Sequence, residues 1–193
     1  DPNIEGVVFL HDLFDAQHMY EEFCFNDLYE WTLFNLKLIR EENLNIGVKP
    51  HINQRPESSI IINKLKEEYN DIYWIDPKVS NIEIFKSISF GCTVFGTVIS
   101  ELAYHNILPI SCGNNPTSSF DFHYQAKSPE EYKKIILNHR EYTSKYKKPF
   151  DLTKEGTLIK SIHFLKNKAK TLEDIFNNAQ YLINDEIKIG NED

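Results

Sequence analysis

The chain has 193 residues, of which 41% are hydrophobic, 26% charged and 13% aromatic; this is the make-up of a folded globular protein with a sizeable core, and it excludes a disordered chain. Lys and Arg number 21 against 29 Asp and Glu, a formal net charge of -8, which argues against general nucleic-acid binding because that needs a basic face to displace counterions. No stretch approaches the roughly 18–20 apolar residues of a transmembrane helix.

The chain opens Asp1-Pro2-Asn3 with a strand almost at once and no methionine, which leads us to expect a fragment whose missing part lies N-terminal. Gly6–Leu10 (GVVFL) reads as a buried strand ending at His11. Asp27 to Glu42 reads as a helix with Leu28, Trp31, Phe34, Leu38 and Ile39 near one stripe, and Asp27 and Glu30 at capping-box spacing. Asn45–Lys49 is a strand stopped by Pro50, Ile60 to Tyr69 a helix, and Ile72–Ile75 (IYWI) a strand stopped by Asp76-Pro77. Ser80 caps the next helix, with Glu83 three residues on. Cys92–Phe95, Val98–Asn106 and Leu108–Cys112 follow as strand, helix and strand, and Ser128-Pro129-Glu130-Glu131 starts a further helix running to about Asn138. Beyond Tyr142 no strand signal remains, and Lys154–Lys166 and Thr171–Ile183 read as helices.

Alternation of this kind predicts an α/β fold, a Rossmann-like parallel sheet flanked by helices, over residues 1–142, with a helical extension over 143–193. The three cysteines, Cys24, Cys92 and Cys112, match no zinc spacing. Cys92 and Cys112 fall in strand-like runs and are expected as buried thiols in a reducing compartment.

Ligands on parallel sheets bind beyond the carboxyl ends of the strands, so the residues after each strand carry the functional reading. Gly96-Thr97 sits at a strand–helix turn; glycine there permits close backbone approach and the helix start suits a phosphate, or the pair merely turns and caps. Glu101, four residues after Thr97, shares its helix face and could accept from a ribose diol or lie solvated. Lys49-Pro50-His51 leaves a strand and could offset the charge of a diphosphate, with Arg55 helping, or be a surface loop. His11 to His18 holds two histidines and two aspartates; it could line a substrate cleft, form a hydrogen-bonding turn, or less simply bind a metal. Gly113-Asn114-Asn115 opens a polar loop that could reach a sugar or base or be a plain turn. His105, His139 and His163 lie in helix patterns and are expected to be structural or exposed.

In order, FLHDLFDAQHMY, DLYEW, VKPH, FGTVISELAYHNILPISCG and KSPEEY resemble the C-terminal half of bacterial capsule and surface-polysaccharide glycosyltransferases, which share the two-domain GT-B architecture. The resemblance runs from about Gly6 to Ile136. It implies a half that holds a nucleotide-sugar donor, with Lys49, His51, Gly96 and Thr97 toward the phosphates, Glu101 toward the ribose, Asn114 nearby, and His11 and Asp15 lining the cleft as catalytic candidates. It implies no metal and no cofactor beyond the donor, a glycan acceptor, a further N-terminal domain, and a cytoplasmic place at or near the inner face of a membrane. In that family the lysine–proline–histidine turn usually continues with a second proline, and Ile52 stands there. Alternatives are a GT-B-fold polyol-phosphate transferase, a nucleotide-sugar epimerase, or a non-catalytic α/β module that binds a partner through Tyr29, Trp31 and Phe34 on its first long helix and has a shallow cleft.

Overall fold

The computed structural model describes residues 3–15, 23–114 and 122–146. The chain divides into two compact units, Asp1–Pro149 and Phe150–Asp193, and every described residue belongs to the first. The two helices expected after residue 150, and His163, lie outside the described residues.

Among the described residues five strands form one sheet: β1 (Gly6–Phe9), β2 (Ile46–Lys49), β3 (Phe90–Thr93), β4 (Leu108–Ser111) and β5 (Tyr124–Gln125). Their order is β2-β1-β3-β4-β5, and every pairing is parallel. The helices are α1 (Leu28–Glu41), α2 (Pro56–Glu68), α3 (Asn81–Ile84), α4 (Val98–Tyr104), α5 (Pro129–Leu137) and α6 (His139–Lys145). The α/β, Rossmann-like class expected from the alternation is the one observed. Register aligns Val8 with Val48 on one side and with Cys92 on the other, so β1, β2 and β3 end at one level and their exits share a rim.

Two apolar clusters cover the two faces of the sheet. Val8, Val48, Phe90, Cys92 and Ile110 pack with Leu28, Trp31, Ile62 and Tyr132 on one face; Val7 and Phe9 pack with Ile84, Phe85, Val98 and Leu102 on the other. The alternation of Val7, Val8 and Phe9 between faces is the period-two pattern of a strand. Both faces being covered is why β1, β3 and β4 read as continuous apolar runs. Cys92 and Cys112 are fully buried within this core.

Helix starts follow their sequence signals. Asp27 Oδ1 accepts from the Glu30 N–H at 2.7 Å, and Glu30 Oε2 reaches back to the Asn26 N–H at 2.7 Å. At α5 the Ser128 hydroxyl accepts from the Glu131 N–H at 3.2 Å, and Glu131 Oε2 takes the Lys127 N–H at 2.7 Å. Each is a capping box whose glutamate satisfies a donor one residue before the cap.

Several expectations are corrected. Ile72–Ile75 is not a strand; a single parallel bridge, Trp74 to Val48, is all it contributes. The α2 helix starts at Pro56, four residues earlier than read, because proline fits a first helical turn. The third strand begins at Phe90 rather than Cys92. The helix after Ser80 is only four residues long. The α1 aromatics do not form a docking face: Trp31 is fully buried, Phe34 half-buried, and Tyr29 the exposed one. His139 is structural, as expected. It is buried against Phe90, with Nδ1 2.9 Å from the Ile136 carbonyl and Nε2 3.0 Å from Glu5 Oε2.

Candidate functional site

The order β2-β1-β3 means that the chain leaves β1 toward one neighbour and returns on the other side. The crevice between the β1 and β3 exits is therefore the switch point where ligands of such sheets sit. A cavity of about 620 Å³ opens there, lined by residues after β1 (His11, Asp15), after β2 (Lys49, His51), and after β3 (Gly96, Thr97, Glu101). These seven were all singled out from the sequence; of the other candidates, Arg55 does not line it, and neither does Asn114. That residue follows β4, one strand beyond the crevice, and the loop from Asn115 to Asp121 lies outside the described residues.

His11 is buried and fixed. Its Nε2 lies 2.9 Å from the Thr93 hydroxyl and accepts the Val94 N–H at 3.3 Å. A backbone N–H can only donate, so Nε2 is the unprotonated nitrogen and the ring proton sits on Nδ1. Burial pushes the pKa of His11 down to about 4; Asp15 opposes this and His51 adds to it. His11 is thus a neutral ring whose basic nitrogen is already engaged and whose remaining polar group is a donor.

This has a consequence for stability. The unfolded chain takes up a proton on this ring below about 6.5, while the folded chain resists until about 4. Stability contributed by neutral His11 is therefore present above pH 6.5 and lost as pH falls toward 4, by up to about 3 kcal/mol. Urea denaturation between pH 7 and 4 is expected to show this slope in the wild type and a flatter one in His11→Gln. Equal slopes would remove His11 from the account.

Asp12, beside it, is structural. Its Oδ2 accepts the Arg55 N–H at 2.6 Å and its Oδ1 the Phe14 N–H at 3.0 Å. Burial raises its pKa, but these bonds, with help from Ser58 and the Arg55 charge, leave it lowered overall. Arg55 serves this turn and is not among the cavity-lining residues. Among the described residues no group of three or more His, Cys, Asp or Glu is placed to hold a metal.

Gly96 has no positive φ, so its use is space: an added Cβ would meet His11 Cε1 and Thr93 Oγ1, each at 3.3 Å. Thr97 does not cap α4; its backbone is helical and its side chain makes no cap bond. Lys49 is half-buried, with its pKa lowered by burial and held up by Glu101. Its Nζ donates to Asn81 Oδ1 at 2.6 Å, and Asn81 Nδ2 donates to Glu101 Oε2 at 2.9 Å. His51 is exposed, with Nδ1 against the Asn53 backbone, 3.2 Å from its nitrogen and 3.3 Å from its carbonyl oxygen.

The sequence reading missed a fourth stretch of the lining, beyond Pro77 as far as Ile82, which contributes Lys78 and Asn81. The usable signal was the strand-exit rule followed past Asp76-Pro77 as far as the helix cap at Ser80.

The crystal structure of UDP-GlcNAc 2-epimerase from Neisseria meningitidis bound to UDP-GlcNAc matches with a TM-score of 0.53 and 9% sequence identity, over 75% of this chain and 39% of that one. The described unit has a GT-B-like Rossmann fold. At 9% identity the likeness shows fold alone, and this chain spans well under half of the epimerase chain. Glutamate–tRNA ligase of Pelagibacter ubique (strain HTCC1062) is 52% identical to it over 52 residues, 27% of this chain and 11% of the ligase. That overlap is too short to show a family. No protein-family model matches the chain. Among the described residues no helix is long and apolar enough to cross a membrane.

Proposed function

We propose that this domain binds a nucleotide sugar at the β1–β3 rim and forms one half of a two-domain enzyme that acts on it. The observation that carries the reading is convergence. A cation (Lys49) and an imidazole (His51) from the β2–β3 crossover meet a backbone turn open to close approach (Gly96-Thr97) and a carboxylate (Glu101) from the β3–β4 crossover at one cavity. In this reading Lys49, His51 and the Gly96-Thr97 turn face the phosphates without a metal among them, and Glu101 Oε1 accepts from the ribose. The sugar lies toward His11 and Asp15. His11 acts as a donor through Nδ1 rather than as a base, because its lone pair already holds the Val94 N–H. In this reading Asp15, on the same wall, carries the proton transfer.

Two reactions fit. Epimerisation of the bound sugar is favoured by the fold shared with an enzyme of that kind. Transfer to a glycan acceptor is supported by the order of the sequence motifs. Both begin with the same donor complex. Calorimetric titration with UDP, CDP, CMP and GDP is expected to show binding of at least one at micromolar to submillimolar levels. Silence from all of them at millimolar concentration would end the reading. Incubation with UDP-GlcNAc, followed by NMR of the sugar, then separates epimer from transferred product.

A further inference from the structure

A hydrogen-bonded chain runs along the cavity wall from Lys49 Nζ to Asn81 Oδ1, and from Asn81 Nδ2 to Glu101 Oε2, 2.6 Å at one end and 2.9 Å at the other. All three residues line the cavity. An amide can accept from an ammonium with its oxygen and donate to a carboxylate with its nitrogen. The two charged partners fix which way it points. The separation is short: two hydrogen bonds and the width of one amide place Nζ and the carboxylate oxygen no more than about 8 Å apart. A lysine stem spans such a gap by rotating its own bonds.

We propose that Asn81 is a positioning residue that keeps Lys49 and Glu101 from pairing directly, so that the cation stays available to a phosphate and the carboxylate to a hydroxyl pair. The proposal rests on the nucleotide-sugar reading of the cavity. Without the amide, Lys49 and Glu101 close into an ion pair and each partly cancels the other before any ligand arrives. With it, each charge spends one hydrogen bond on a neutral group and keeps its field. Asn81 sits at the first position of α3, behind the Ser80 cap, whose hydroxyl accepts the Ile82 N–H at 3.3 Å. The backbone is thus anchored independently of the amide.

The test uses the full 193-residue chain and inorganic pyrophosphate, which isolates the phosphate half of the site. Asn81→Ala is expected to weaken pyrophosphate binding about tenfold, roughly one step of 1.4 kcal/mol. The double variant Asn81→Ala/Glu101→Gln is expected to recover the affinity of Glu101→Gln alone, because the collapsing partner has gone. A structural role would not be rescued this way, so a double variant as weak as Asn81→Ala overturns the proposal, as does wild-type affinity in the single variant. A crystal structure of ligand-free Asn81→Ala reads the same point without ligand: Lys49 Nζ is expected within ion-pair distance of Glu101, and an unmoved lysine overturns the proposal. If the pair closes there while the wild type binds no pyrophosphate or nucleotide, the amide's role stands and the nucleotide-sugar reading falls. Should Asn81→Ala fail to fold, Asn81→Ser supplies the same arms, being too short to bridge and well suited to a helix start.

Discussion

Lys49→Ala is expected to weaken binding of a nucleoside diphosphate by one to two orders of magnitude, the worth of a charged hydrogen bond at about 1.5–3 kcal/mol. The lysine is half-buried at the exit of β2, and desolvation already disfavours its charge; an arriving phosphate restores what burial removed. Its loss should therefore fall on the phosphates alone. Calorimetry with the diphosphate, the monophosphate and the bare nucleoside resolves this: the first two weaken and the third holds. Glu101→Ala gives the opposite pattern, losing nucleoside affinity while pyrophosphate binds at least as well, because a negative charge has left the cavity. If Lys49→Ala binds the diphosphate like the wild type, the phosphate subsite has been put in the wrong place.

The second large effect lies beneath the site. Gly6 and Phe90 are register partners on β1 and β3, and a Cβ on Gly6 would lie 2.3–2.6 Å from the Phe90 ring. The ring is fully buried and rests on His139, with centroids 4.6 Å apart, so it has no easy retreat. Gly6→Ala is expected to cost about 1–3 kcal/mol through overpacking. Phe90→Ala costs about 3–5 kcal/mol through the cavity it leaves. The double variant should cost less than the sum, because the new methyl group occupies part of the vacated space. Urea unfolding of the four proteins checks this; strict additivity would mean that the two sites do not touch. Against a total stability of roughly 5–15 kcal/mol, Phe90→Ala alone takes a large share.

The main elements were legible because both faces of the sheet are covered. Strands such as Leu108–Ser111 and β1 then announce themselves as short unbroken apolar runs, and helices such as α1 and α5 by their caps. Where reading failed, the reason is local. IYWI has strand composition, yet Ile75 leads straight into Asp76-Pro77 and leaves the sheet after one bridge. Tyr124–Gln125 is too short to show a period. At the site, charge and punctuation made Lys49, Gly96 and Glu101 visible. Asn81 carried no such mark: its meaning comes from partners 32 and 20 residues away in the chain, and only the folded sheet brings them together. Asn114 shows the converse. A rule about strand exits places a residue on the rim but does not say which pair of strands flanks the opening; that depends on strand order.

The lining of the cavity is drawn from three crossovers, the first contributing near His11 and the last near Glu101. During folding, no single βαβ unit assembles enough of it to recognise anything. Recognition becomes possible only once distant stretches have closed their loops and β3 has slotted in beside β1. Ligand capture is thus a late event that reports on completed topology, and a bound molecule would act as a tie across three crossovers, slowing the separation of β1 from β3 more than the fraying of the sheet edge at β5.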